Sequence, residues 1–266
     1  MKPTAILVFV LFAPLAYSPN PSLAQSQYKQ VEVQKGGTIR GTVRWKKPNP
    51  TLEKVAVLKD HAVCGKHQVL PCLRLGRGGA LADAIVYLEG ILQGKKSLPA
   101  NGAKLDQKNC VYLPHVLVIP AGATLEILNS DAILHNVHVY DMARPSADSP
   151  QPGRRTLFNI AFPRKEQKVT RVMDQPGKYI ALCDAGHPWM SGYIFVTEHP
   201  YYAVSNEEGI YILDNVPAGS YNLRLWHEPV LKIEKSNFPY LSGTPTELTR
   251  TVTVPADGTV TIDFDL

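Results

Sequence analysis

The stretch "CDAGHPWM" (183–190) puts a thiol, an imidazole and a thioether within one short loop. Each can donate an electron pair to a soft metal ion. A thiolate with two imidazoles forms a trigonal set that suits copper in both oxidation states. A distant thioether adds a weak axial bond that favours Cu(I). Donors that converge from one loop need close spacing. A further imidazole has to arrive on a strand facing that loop, so it lies far away in the sequence. His135, in "LHNVHVYD" (134–141), meets that requirement. Cys183, His187 and Met190 on the loop, with an imidazole such as His135 on a facing strand, are thus candidates for holding one copper ion that cycles between Cu(I) and Cu(II). Zinc also binds Cys and His, but its structural sites want four strong ligands and a thioether is a poor one.

The elements that must carry these residues read as strands. "TIRGTVRW" (38–45) alternates, with Ile39, Val43 and Trp45 on one face. Further strand signals are "DAIVYLEGI" (83–91), "HVLVIP" (115–120), "TLEIL" (124–128), "HNVHVY" (135–140), "KYIAL" (178–182) and "GYIFVT" (192–197). After these come "GIYIL" (209–213), "YNLRLW" (221–226), "TRTVTV" (249–254) and "TVTIDFDL" (259–266). No long stretch has helical periodicity. With 19 glycines and 22 prolines as punctuation, many short strands predict an all-β sandwich or barrel class. The stretch 234–247 reads as a surface loop.

Composition bounds the rest. The chain has 266 residues, 44% hydrophobic and 19% charged, which is globular rather than disordered. Residues 1–24 read as a cleaved secretory signal: Lys2, the apolar run 5–17, then "SLA" before Gln25, so cleavage is expected near Ala24–Gln25. Pro14 breaks the apolar run and no later run is long enough to cross a bilayer, so a periplasmic or otherwise exported protein with no membrane span is expected. A net charge of +5 is too small and scattered to argue for nucleic acid. It leaves a mild preference for acidic redox partners.

Two families are resembled, one inside the other. Residues 31–104 and 200–266 resemble a carboxypeptidase regulatory-like (prealbumin-like) β-sandwich. The matching residues are the strands at 36–46 and 78–90 and the hairpin signal Glu208–Gly209, Tyr211, Val216–Pro217, Gly219 and Tyr221. The intervening 105–199 resembles the plastocyanin/azurin type of cupredoxin, a Greek-key β-sandwich. Here the match runs through Pro120, Gly122, Leu125, Ile127, Asn129, His135 and Asn136, then Gly177, Tyr179, Cys183, His187 and Met190. The resemblance implies a cupredoxin-like domain inserted into the second sandwich. It makes His135, Cys183, His187 and Met190 the ligands. It also implies that Asn136 ties the ligand loops together. Pro188 and Trp189 would stiffen and shield the loop, and His187 would be the electron exit. The Cys-x3-His-x2-Met spacing is shorter than in many blue copper proteins. It resembles the late loop of a binuclear copper centre, but Tyr179 stands where that centre has another Cys.

The arrangement also resembles exported proteins of methylamine-utilisation or plastocyanin-like type. Within that resemblance Cys64–Cys110 is the implied disulfide, with Cys64–Cys72 as the local alternative. Copper oxidases and nitrite reductases bridge two coppers through a His beside the ligand Cys. Here Leu182 and Asp184 flank Cys183, so the expectation is an electron-transfer protein with redox protein partners, not an enzyme. The alternatives are a copper carrier or storage protein and a non-redox binding module. His138 is expected on the opposite strand face from His135, toward solvent or a domain interface. His115 is expected to pack at a strand edge, His227 to lie on a loop, and His61, His67 and His199 to be loop residues.

Overall fold

The protein is described here from a computed structural model, over residues 28–48, 54–97, 102–143, 155–230 and 243–266. The secretory signal expected at 1–24 and most of the loop expected at 234–247 lie outside those residues. The chain begins with β1 (Lys29–Gln30), β2 (Gly37–Arg44), β3 (Lys54–Ala56), a one-turn helix α1 (His61–Cys64), β4 (His67–Val69), β5 (Ile85–Glu89) and β6 (Gln93–Gly94). In β2 burial alternates, with Ile39, Gly41 and Val43 turned inward, as the period-two side-chain pattern of a strand requires.

Next come β7 (Ala103–Lys108), β8 (Val111–Leu113), β9 (Val116–Pro120), β10 (Ala123–Asn129), β11 (His135–Asp141), β12 (Arg155–Phe162), β13 (Gln167–Met173), β14 (Gly177–Leu182) and β15 (Ser191–Thr197). They form two sheets, β13-β10-β7-β8 and β12-β11-β14-β15-β9. The chain passes repeatedly from one sheet to the other, so β7–β10 and β9–β15 pair in parallel while the remaining pairs are antiparallel. β10 turns Ala123, Leu125 and Ile127 inward, and β11, an inner strand of its sheet, is buried at every residue.

The chain closes with β16 (Tyr202–Val204), β17 (Ile210–Val216), β18 (Gly219–His227), β19 (Thr246–Val254), β20 (Thr259–Thr261) and β21 (Phe264–Asp265). These return to the early strands. Sheet β16-β5-β18-β19 faces sheet β17-β2-β20, with β21 also pairing β2. The turn into β17 needs Gly209: its φ is +72°, and a Cβ there would meet the Val43 carbonyl oxygen at 2.4 Å. The fold is all-β, built of two β-sandwiches.

Each sandwich has its own core. One gathers Ile39, Leu81, Val86, Tyr211, Leu223 and Phe264. The other gathers Leu125, Ile127, Val137, Ile180, Tyr193 and Ile194. Burying a side chain of this size contributes roughly 1.5–3 kcal/mol before entropy is subtracted. Val57, Cys64, Leu70 and Cys72, from the segment around α1, belong to the second core, although their strands lie outside its two sheets. Trp226 of β18 also reaches it, with its ring 5.0 Å from that of Tyr193 and 4.7 Å from that of Phe195.

Two histidines are placed differently from their sequence reading. His115 does not merely pack at a strand edge. It is buried and ion-paired with buried Glu228, just past β18, and its other ring nitrogen meets the Ser191 carbonyl at 3.1 Å. Burial alone would push the His115 imidazole down; the charge and hydrogen bond of Glu228, helped by Asp83, outweigh it and hold its pKa above the usual value. His227 is the last residue of β18 and is buried, not a loop residue. Burial pushes its pKa down.

Candidate metal centre

The pairing of β11 with β14 and of β14 with β15 decides where the donors meet. His138 pairs with Leu182, and Leu182 with Ser191. The start of β11, the end of β14 and the start of β15 therefore share one edge of the sandwich. His135 opens β11, and the loop 183–190 joins β14 to β15. The loop is closed on itself: the Cys183 amide donates to the Met190 carbonyl at 3.3 Å, and the Met190 amide to the His187 carbonyl at 2.9 Å. Gly186 has φ +94°, a conformation that a side chain would strain.

His135 Nδ1 lies 3.2 Å from His187 Nδ1. Cys183 Sγ lies 3.8 Å from the first and 3.5 Å from the second. The residues are 0%, 0% and 2% exposed for His135, His187 and Cys183. Each outer ring nitrogen is held by a carboxylate. His135 Nε2 donates to Asp131 at 2.9 Å, and His187 Nε2 to Asp60 at 3.0 Å. A neutral imidazole that donates from Nε2 has a bare lone pair on Nδ1. With both Nε2 atoms turned to carboxylates, the two Nδ1 atoms and the Cys183 sulfur face one another. A donor set of two imidazoles and a sulfur is one that a soft cation can use.

The protonation states agree. Burial, with the neighbouring His135, pushes His187 down to about 4, so it is neutral and ready to donate. Burial pushes the Cys183 thiol up to about 11, although the backbone amides of Asn136 and Ala185 pull the other way. A metal arriving at neutral pH must therefore displace the thiol proton. Burial pushes Asp131 up, but the His135 bond and two backbone amides outweigh it and hold its carboxyl below the usual value.

The surrounding residues fix the donors. Asn136 Oδ1 accepts from the Ala185 amide at 2.8 Å, joining β11 to the late loop, while its Nδ2 donates to Asn159 Oδ1 at 2.8 Å. Trp189 is buried with its ring 5.3 Å from that of His187, and its Nε1 donates to the Cys110 carbonyl at 3.0 Å. Tyr112 donates to the Asn136 carbonyl at 2.6 Å. Met190 is buried at the loop's end. Cys64 and Cys110 form a disulfide with an S–S distance of 2.01 Å, which ties α1 to the turn between β7 and β8.

A second donor group, Cys110, Asp131 and His135, also converges. Its sulfur is already bonded to Cys64 and its carboxylate already accepts the Asn109 and Cys110 amides at 2.8 and 2.9 Å, so it acts as a structural joint.

Sequence reasoning missed both carboxylates. Asp131 sits four residues before His135, a spacing that could have drawn attention; Asp60 has no local signal at all. Further expectations are corrected. His187 has no exposed surface for electrons to leave by, because Asp60 covers its outer edge. His138 is on the opposite face from His135 but is not solvated: it is buried, bonded to Asp184 at 2.5 Å and Thr156 at 2.8 Å, and stacked on Tyr140. His61 and His67 begin α1 and β4 rather than lying in loops.

No family model and no curated relative matches the chain. Among solved structures, it is similar to a purple cupredoxin from Nitrosopumilus maritimus at 24% identity, over 36% of this chain and 100% of that one, with a TM-score of 0.30. It is similar to amicyanin from Paracoccus versutus at 23% identity, over 38% of this chain and 85% of that one, with a TM-score of 0.29. A copper-containing nitrite reductase from Thermus scotoductus aligns at 23% identity over 40% of this chain but only 24% of its own length, with a TM-score of 0.28. At such TM-scores the weight rests on the chain's own geometry.

Proposed function

We propose that this chain is an exported mononuclear copper protein that carries electrons between redox proteins, with a cupredoxin-like domain at about 105–199 inserted into a carboxypeptidase regulatory-like sandwich formed by 31–104 and 200–266. The observation that carries the reading is the convergence of His135 Nδ1, His187 Nδ1 and Cys183 Sγ, with both outer ring nitrogens taken by carboxylates. Bound there, copper would supply one-electron chemistry. His135, His187 and Cys183 would hold it, with Met190 as a weaker fourth donor. The carboxylates, Asn136 and Trp189 keep the donors from relaxing when the metal's charge changes, which favours rapid electron transfer.

Burial of all three donors speaks for retention rather than hand-over, so a copper-carrier role is the weaker reading. Leu182 and Asp184 offer no imidazole to bridge Cys183 to a second copper, so we read the protein as an electron carrier and not an enzyme. The second sandwich would orient the copper domain toward partners.

The test is the visible spectrum after Cu(II) loading. A strong thiolate-to-copper charge-transfer band is expected, and Cys183→Ser should abolish it. A colourless wild type under oxidising conditions would overturn the reading.

A further inference from the structure

The segment from Lys54 to Leu70 belongs to neither sheet of the donor-bearing sandwich, yet it covers the donor cluster. β3 and β4 form a two-stranded ribbon, closed by the Val57 amide on the Lys66 carbonyl at 3.0 Å. α1 turns between them. Asp60 precedes α1 in a left-handed conformation, φ 60°, and its carbonyl accepts the Val63 and Cys64 amides at 3.0 and 2.9 Å. That geometry aims the Asp60 carboxylate at His187 Nε2, 127 residues away in sequence. Lys59 lies along Gly186, where an added Cβ would meet its Cε at 2.4 Å. The segment's inner face, Val57, Cys64 and Leu70, is buried in the same core as Trp189. Its outer face is exposed, Leu58 to 81%. The Cys64–Cys110 disulfide fastens it to the turn whose carbonyl also holds Trp189.

We infer that residues 54–70 are a lid, fastened by Cys64–Cys110, and that Asp60 on this lid is the positioning residue that fixes the ring of His187 and seals the donor cluster from solvent. The inference rests on the copper reading only for its consequence in the loaded protein. The lid itself is a property of the metal-free chain. Asp60 anchors the nitrogen that would otherwise be free to rotate or meet water. It also places a negative charge behind one ligand, which favours the higher charge of Cu(II) over Cu(I). A redox partner approaching His187 meets the lid, not the bare imidazole.

Three variants test this: Asp60→Asn, which keeps shape and loses charge, Asp60→Ala, and Asp60→Glu. In the metal-free, disulfide-intact protein, alkylation of Cys183 by iodoacetamide is followed by peptide mass spectrometry. Loss of a charge-assisted hydrogen bond should speed it about ten- to a hundredfold in Asp60→Ala, and Asp60→Glu should restore part of the protection. After copper loading, affinity should fall about ten- to a hundredfold in Asp60→Ala and the reduction potential should rise in Asp60→Asn. Unchanged Cys183 reactivity in both Asp60→Ala and Asp60→Asn would overturn the lid. The two readings fail separately. A wild type without a thiolate–copper band, but with Cys183 reactivity that answers to Asp60, would sink the copper reading and leave the lid standing. A normal band with no effect of Asp60 would do the reverse.

Discussion

Asp131→Ala should destabilise the metal-free protein by about 3–5 kcal/mol, because one buried carboxylate holds three donors. It accepts the Asn109 amide at 2.8 Å, the Cys110 amide at 2.9 Å and His135 Nε2 at 2.9 Å. Asn109 and Cys110 form the two-residue turn between β7 and β8, and both have positive φ, 55° and 59°. Such a turn asks for left-handed residues at both positions; Asn suits it and Cys does not. The carboxylate compensates by capturing both amides. In the Ala variant the exposed Asn109 amide finds water. The buried Cys110 amide and His135 Nε2 do not, and each costs about 1–3 kcal/mol. Asp131→Asn keeps one acceptor and should lose about half as much. Urea denaturation at neutral pH, with the disulfide intact, measures both. A loss below about 1 kcal/mol in Asp131→Ala would refute the argument. The pH dependence supplies a second check. The folded pKa of Asp131 is depressed. Its contribution is therefore present above the unfolded carboxylate value of about 3.9 and is lost as pH falls through the lower folded value. Asp131→Ala should flatten that acid limb.

The His115–Glu228 pair makes a prediction of opposite sign. The folded pKa of His115 is raised, so its contribution is fully present below about pH 6.5 and is lost as pH rises through the folded value. Glu228→Gln should cost about 3–5 kcal/mol at pH 6, as expected for breaking a buried pair. Its disadvantage against the wild type in urea titrations should shrink at higher pH; a constant difference would contradict the assignment. Asn136→Ala removes the bond from Ala185 to β11. It should leave the copper band in place but weaken copper affinity about tenfold, measured by competition with a chelator. Loss of the band instead would mean that Asn136 holds the donors more directly than its contacts imply.

What could be read from the sequence was local. β10, β11, β14 and β15 carry apolar residues that alternate or run unbroken, and the late loop holds three donors in one short stretch, so His135, Cys183 and His187 could be grouped before any coordinates. β12 and β13 escaped notice because they are edge strands with exposed faces and little apolar alternation. β7, "AKLDQK", is mostly polar for a strand and begins at Ala103, slightly before the boundary read at 105. Asp60 and Glu228 were invisible for another reason. A carboxylate's partner 113 or 127 residues away leaves no spacing to recognise. His138 was put on the correct strand face, but alternation says nothing of what covers that face, and here it is Asp184 and Thr156.

The central claim is that His135, His187 and Cys183 together hold one copper ion. X-ray absorption of the copper-loaded protein, at one equivalent of metal, tests it most directly. A shell of two imidazole nitrogens and one sulfur at bonding distance is expected, with no copper–copper vector. The sulfur should be lost in Cys183→Ser. A shell of nitrogen and oxygen alone in the wild type, with Cys183 still open to alkylation, would contradict it.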